Sequence, residues 1–118
     1  MSRIAIVNGK LADPAGDALV PGTVLIEDDR ILATGAVDIP ADAQQVDAGG
    51  LVVAPGLIDL GVFAIDKPAF HFGGITRAGL MPDQNPPLDV PARVRFAAQS
   101  GKPDLWVHPL AAATQGLE

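Results

Sequence analysis

The chain has 118 residues, of which 48% are hydrophobic and only 4% aromatic, and its formal net charge is −6. The acidic balance and the scattered Lys and Arg residues exclude the basic surface that binding to nucleic acid or to an anionic membrane requires. The chain has no cysteine, no apolar run of the ~18 residues that a membrane span needs, and no signal-peptide core, so we expect a cytoplasmic protein without disulfides or thiolate metal sites.

The first 56 residues read as short β-strands separated by turns. Apolar or β-branched runs at residues 4–7, 23–26, 31–34 and 51–53 alternate with turn signals such as Asn8-Gly9 and Asp28-Asp29. Residues 23–34 predict a β-hairpin, and Val46 marks a further strand. We therefore predict a small, sandwich-like N-terminal β-domain over residues 1–56.

After Gly56 the pattern changes to that of an α/β protein. Residues 57–63 are almost continuously apolar, which is typical of a strand buried on both faces of a parallel sheet. Residues 75–81 and 105–107 are further strand candidates. Between them, residues 89–100 predict a helix with Asp89 as its N-cap, Pro91 in its first turn and Gly101 after its end. This order predicts parallel strand pairing in a second domain, residues 57–118.

Three segments resemble the dihydroorotases and related cyclic amidohydrolases. Residues 54–60, APGLIDL, are similar to the segment A-P-G-[LFI]-I-D-[LP]-H-x-H that leads into the metal-bearing barrel of these enzymes. Residues 73–86, GGITRAGLMPDQNP, resemble G-G-[VF]-T-T-x-x-x-M-P-N-T-x-P, and residues 112–117 resemble A-x-T-x-G-L. The resemblance implies an α/β fold: the first strands of an amidohydrolase (β/α)₈ TIM barrel, incomplete because such a barrel needs about 250 residues.

The same resemblance shows where this chain departs from active enzymes. Active members place the two zinc-binding histidines of His-x-His at alternate positions of the first barrel strand, and here these positions hold Gly61 and Phe63. The substrate-binding arginine of the family corresponds to Ile65, which cannot make a bidentate contact with a carboxylate. The resemblance therefore implies zinc in active relatives and no metal cofactor in this chain.

The loop after the second strand of the α/β domain holds the candidate substrate contacts. Asp83 occupies the position of a substrate-contacting Asn in the family, and Asn85 follows in the same loop. An alternative to substrate contact is that Asp66 and Asp83 act as an acid/base pair, which requires the fold to bring their carboxylates together. For the remaining candidates we expect structural roles, namely backbone hydrogen bonds for Asp59, a tight turn for Gly73-Gly74 and packing for His71, Trp106 and His108.

The link between Pro68 and Gly73 is short for this family. Relatives have most of the first barrel helix at this point, whereas residues 69–72 are fewer than the dozen or more that a parallel crossover requires. We expect an unusual connection or a missing segment. A third alternative, beside the two functional hypotheses below, is an incomplete chain whose function belongs to a longer protein.

Two functional hypotheses follow from the resemblance. The first is a non-catalytic dihydroorotase-like protein of pyrimidine biosynthesis, a structural partner of aspartate carbamoyltransferase in a homo- or hetero-oligomer. Without the first two metal ligands it would lack the cation that activates water and polarises the amide carbonyl. The second is an active zinc-dependent dihydroorotase, dihydropyrimidinase or allantoinase that hydrolyses a cyclic amide and holds its metal through other residues.

Overall fold

A computed structural model describes residues 2–117 of the chain. The backbone contacts divide it into two compact units, one ending at Pro55 and the other beginning at Gly56. Among the described residues, no helix has the length and apolar character needed to cross a membrane.

The first unit is a single mixed sheet of five strands. Its strands β1 to β5 are Arg3–Ala12, Leu19–Glu27, Arg30–Gly35, Gln44–Asp47 and Val52–Val53. Strand β1 lies between antiparallel β2 and the parallel strands β4 and β5, and β3 pairs with the outer edge of β2. The expected sandwich is not confirmed, because the strands are hydrogen-bonded into one sheet instead of two packed layers.

The predicted hairpin is confirmed, but the predicted turn at Asn8-Gly9 is wrong. Strand β1 continues through both residues, and its register with β2 shifts between Ile6 and Gly9. Asn8 has a φ of 57°, in the left-handed region that Asn tolerates better than most residues. An Asn-Gly pair therefore suits a β-bulge as well as a turn, and only the long-range pairing with β2 decides between them.

The second unit is a three-stranded parallel sheet with two helices. Strands β6 (Leu57–Val62), β7 (Ile75–Leu80) and β8 (Trp106–Pro109) pair in this order, as the sequence predicts. Helices α1 (Lys67–Phe72) and α2 (Pro91–Ala98) follow β6 and β7. Buried apolar side chains from the strands, from α2 and from the loops form one core, consisting of Val62, Ala78, Leu80, Leu88, Ala97, Leu105 and Val107.

Residues 63–74 form a complete crossover between β6 and β7. Asp66 caps α1, because its side chain accepts a 3.1 Å hydrogen bond from the backbone N–H of Ala69. Phe70 packs against the core, and Lys67 Nζ donates a 2.9 Å hydrogen bond to the carbonyl of Lys102. The residues on either side of 69–72 also belong to the connection, which therefore has twelve residues, and the expectation of an unusual connection or a missing segment stays a prediction.

Helix α2 begins one residue later than predicted. Val90 is its N-cap and makes no side-chain cap bond. The Asp89 carboxylate, whose side chain is 8% exposed, instead accepts hydrogen bonds from Arg93 and, at 2.9 Å, from the backbone N–H of Gly116. Asp89 therefore ties the segment after β8 to the loop before α2, a role that a local capping pattern cannot reveal.

These contacts make Asp89 a source of acid sensitivity. The hydrogen bond from Gly116, more than the one from Arg93, holds the pKa of Asp89 below its ordinary value of 3.8. A carboxyl group with a lowered pKa stabilises the fold above its ordinary pKa, and this stabilisation is lost as the pH falls through the folded-state pKa. We expect the urea midpoint of the wild type to fall more than that of Asp89→Asn between about pH 5 and pH 2. Circular dichroism measures both, and equal falls would contradict this role of Asp89.

Candidate functional site

The carboxyl ends of β6, β7 and β8 meet at one edge of the sheet, because the three strands are parallel. The backbone N–H of Met81 donates a 2.8 Å hydrogen bond to the carbonyl of Val62, and Leu110 makes the same 2.8 Å contact with Leu80. In α/β proteins, ligands bind outside this edge, in the loops that follow the strands. The segments beginning at Phe63, Met81 and Leu110 therefore form the candidate site.

Gly61 and Phe63 lie at this edge on either side of buried Val62. Gly61 faces away from the core that Val62 enters, because successive residues of a strand face opposite sides, and Phe63, just after the end of β6, also lies outside that core. Phe63 is exposed, and a Cβ placed on Gly61 would have Met81 Sδ as its nearest neighbour, at 3.8 Å. The edge therefore has room for a side chain at position 61.

Strand β6 is irregular just before this edge. Its register with β7 shifts between Asp59 and Val62, and Asp59 Oδ1 accepts a 3.1 Å hydrogen bond from the backbone N–H of Gly61. The predicted backbone bond of Asp59 is confirmed, although its carboxylate is only half-buried. Asp59 therefore holds the backbone in place immediately before Gly61 and Phe63.

The loop after β7 exposes both predicted substrate contacts. Asp83 and Asn85 are exposed, and only Asn85 lines the groove that this loop forms with α2. Between them, Gln84 Nε2 donates hydrogen bonds to the carbonyls of Phe63 at 3.0 Å and Met81 at 2.9 Å. Gln84 thus joins the ends of β6 and β7, and no sequence signal separates it from its polar neighbours. Asp66, which caps α1, makes no hydrogen bond with Asp83.

The side chains at this edge do not fit a zinc site. Gly61 and Phe63 have no metal-binding atom, and Ile65 packs against the core. Within residues 2–117, no group of three His, Cys, Asp or Glu side chains is placed to hold a metal ion. The resemblance implies that the first two zinc ligands of the family belong at positions 61 and 63. The glycine and phenylalanine found there cannot supply them.

The two histidines lie in separate elements with different neighbours. His71 is exposed in α1 and packs edge-on against Phe72, with ring centroids 5.6 Å apart. His108 in β8 lies beside Arg77 in β7, with 3.3 Å between Nε2 and Nη1. Trp106 contacts Arg77, 5.4 Å from its ring centroid, and Lys102, at 2.8 Å. Trp106 is half-exposed, so its packing role is a cation–π contact at the surface and not a place in the core.

In sequence, the chain is similar to dihydroorotases. It is 37% identical to the dihydroorotase of Syntrophotalea carbinolica and 31% identical to that of Lactococcus lactis subsp. lactis, in each case over 98% of its own length. It spans only 31% and 30%, respectively, of these two relatives. No protein-family model matches the sequence.

In structure, the chain is similar to amidohydrolases. The L-hydantoinase (dihydropyrimidinase) from Arthrobacter aurescens superposes with a TM-score of 0.71 at 25% identity, covering 86% of this chain and 25% of that one. A crystal structure of a dihydroorotase gives a TM-score of 0.63 at 20% identity, covering 98% of this chain and 32% of that one, and this likeness shows the fold alone. The chain is therefore a relative of the dihydroorotases in sequence, and its fold is that of part of an amidohydrolase.

Proposed function

We propose that the chain is a dihydroorotase-like component of pyrimidine biosynthesis that does not itself catalyse hydrolysis. Its 37% identity to a dihydroorotase over 98% of its length supports the dihydroorotase-like assignment. The observation that supports the absence of catalysis is the pair Gly61 and Phe63 at the carboxyl edge of β6. The resemblance implies that active relatives carry histidines at these two positions.

The chemistry explains why this pair is decisive. Hydrolysis of a cyclic amide requires an activated water and a polarised carbonyl, and a bound metal supplies both. The substrate carboxylate would also lack its arginine, because Ile65 is an apolar residue packed against the core. Arg93, in the helix beside this edge, is already paired with Asp89 and is not free to replace it.

For a dihydroorotase-like protein without catalysis, we propose a structural role as a cytoplasmic partner of aspartate carbamoyltransferase. Exposed apolar side chains support association with another chain. Leu57, Ile58 and Leu60 are all exposed along β6, where a monomeric protein would place polar residues. A hetero-oligomer would cover this surface.

An active cyclic amidohydrolase is the second candidate, favoured by the 25% identity to the L-hydantoinase of Arthrobacter aurescens. Such an enzyme would have to hold its metal without histidines at positions 61 and 63. It would therefore bind zinc in stoichiometric amount, which separates the two candidates by experiment.

We expect the purified protein to contain less than stoichiometric zinc and to show no turnover of dihydroorotate. Elemental analysis gives the metal content before and after dialysis against zinc, and an assay of dihydroorotate hydrolysis measures the activity. The dihydroorotase of Lactococcus lactis subsp. lactis, purified in the same way, is the positive control. Stoichiometric zinc accompanied by turnover would overturn the non-catalytic assignment. Co-elution with aspartate carbamoyltransferase on a sizing column tests the structural role separately.

A further inference from the structure

The Asn8-Gly9 pair lies where strand β1 changes its parallel neighbour in the first unit. Strand β4 pairs with β1 before this pair, and β5 pairs with β1 after it. The backbone N–H of Ala48 donates a 2.8 Å hydrogen bond to the carbonyl of Val7, and that of Gly50 donates a 2.8 Å bond to the carbonyl of Asn8. These two bonds attach the connection between β4 and β5 to the bulge in β1.

The side chain of Asn8 is held at this junction by Asp47. Asn8 Nδ2 donates a 3.0 Å hydrogen bond to Asp47 Oδ1, which also accepts a 2.8 Å bond from the backbone N–H of Gly49. The bond from Gly49, and after it the bond from Asn8, holds the pKa of Asp47 below its ordinary value of 3.8. At neutral pH the acceptor is therefore an ionised carboxylate, which binds a donor more strongly than a neutral oxygen does.

The fold leaves little room for other residues at these two positions. Asn8 has a φ of 57°, a backbone conformation that Asn adopts more readily than most residues. Gly9 is buried, and a Cβ on it would lie 2.6 Å from Val53 Cγ2, so Val53 would have to move. The junction therefore retains Asn followed by Gly.

An asparagine that precedes a glycine can lose its side-chain amide to its own backbone. The nitrogen of Gly9 forms a bond with Cγ of Asn8, the bond from Cγ to Nδ2 breaks, and ammonia leaves with the proton of the Gly9 amide. Water then opens the resulting succinimide ring at one of its two carbonyl groups. The product at position 8 is an aspartate or an isoaspartate. Glycine favours this reaction because it has no Cβ to shield the attacking nitrogen.

The other asparagine of the chain is protected from this reaction by its neighbour. Asn85 precedes Pro86, whose nitrogen has no proton to lose. Glutamines would have to close a larger ring, which forms more slowly. Asn8 is therefore the asparagine of this chain that can react by this route, and Asn85 serves as an internal control.

We propose that Asn8 is a site of deamidation, that Asp47 slows the reaction in the folded protein, and that the modified residue weakens the junction between β4 and β5. Ring closure requires the Asn8 amide to leave Asp47 and to turn back onto its own backbone. An aspartate at position 8 replaces the donor by a second carboxylate facing Asp47, and the two like charges repel. An isoaspartate inserts a methylene into the backbone and displaces the carbonyl to which Gly50 is bonded.

Peptide mapping by mass spectrometry of the full chain, incubated near neutral pH, tests the reaction and the role of Asp47. We expect deamidation at Asn8 and none at Asn85. The rate at Asn8 should be about fivefold higher in Asp47→Ala than in the wild type, because one hydrogen bond to the amide is removed. Asp47→Asn retains an oxygen acceptor and should react at nearly the wild-type rate.

Asp17→Ala is the matched control for Asp47→Ala, because it removes an exposed carboxylate from the loop between β1 and β2. Its rate should equal that of the wild type. In urea, where the contact between Asn8 and Asp47 is lost, all four proteins should react at one common rate that exceeds the rate of the folded wild type. Circular dichroism verifies that each variant is folded before incubation without urea.

Asn8→Asp tests the consequence of the modification, because it reproduces one of the two products directly. Its urea midpoint, measured by circular dichroism, should lie below that of the wild type. Asn8→Asp/Asp47→Asn places an amide and a carboxylate at the junction again with their positions exchanged, and it should recover most of the lost stability. This double variant separates repulsion between the two carboxylates from the mere loss of the Asn8 side chain.

Three results would overturn the proposal. The first is an unmodified Asn8 after incubation both with and without urea. The second is a folded wild type that reacts as fast as it does in urea, or a folded Asp47→Ala that reacts no faster than Asp17→Ala. The third is a urea midpoint of Asn8→Asp equal to that of the wild type, because the modification would then leave the junction intact. The site depends only on contacts within the first unit, and it is independent of whether the protein is catalytic.

Discussion

Histidines introduced at both positions 61 and 63 are expected to create a zinc site that neither histidine creates alone. The two positions flank Val62 at the end of β6, only two residues apart, so two imidazoles there are close enough to bind the same cation. Position 61 has room for the side chain, because Met81 Sδ is the nearest neighbour of a Cβ at that point. We expect Gly61→His/Phe63→His to bind zinc more tightly than either single variant by a factor on the order of 100, measured by titration calorimetry.

A second double variant with the same number of histidines is the control. Phe63→His/Phe96→His places its imidazoles just after β6 and in α2 instead of two residues apart, and both replaced side chains are exposed. His71 and His108 are present in every variant, so any zinc that they bind contributes equally to each measured affinity and does not affect the comparison. If the control binds zinc as tightly as Gly61→His/Phe63→His, positions 61 and 63 do not share a cation.

Leu105→Ala is expected to destabilise the second unit by about 2–5 kcal/mol, because it leaves a cavity in the core. Leu105 is 2% exposed and lies in the core with strand and helix residues. A unit of this size has little stability in reserve, so the variant should unfold at a much lower urea concentration. Circular dichroism during urea denaturation measures the loss.

The matched control for this variant is Leu57→Ala. Leu57 is exposed in β6, so its truncation removes little buried surface and should change the free energy of unfolding by no more than about 0.5 kcal/mol. Equal destabilisation by the two substitutions would show that Leu105 does not occupy the core as the structure places it.

Local patterns in the sequence were sufficient for most elements but not for their partners. Apolar runs and turn signals located β6, β7, β8 and the hairpin of the first unit, and Pro91 marked the start of α2. The β-bulge at Asn8 and the bond from Gly116 to Asp89 depend on residues distant in the chain, so no local pattern encodes them. The single sheet of the first unit was missed for the same reason, because strand propensity does not specify which strands pair.

The candidate site could be located only through a resemblance. Gly61 and Phe63 have no side-chain chemistry that marks a site, and they acquire meaning only from the histidines that similar proteins carry there. Gln84 and the groove beside Phe96 lay outside this prediction. Both arise from how the loop after β7 packs against its neighbours, and neither spacing nor composition reports such packing.

The contact between Trp106 and Lys102 has an optical consequence. Trp106 is the one tryptophan of the chain, which has no tyrosine, and the four phenylalanines also lie after Gly56. Intrinsic fluorescence therefore follows the second unit alone, and the loss of the ammonium group 2.8 Å from the indole ring should change its emission on unfolding. Far-ultraviolet circular dichroism records the backbone of both units. Denaturation curves from the two signals would thus separate the folding of one unit from that of the other in a single uncut chain.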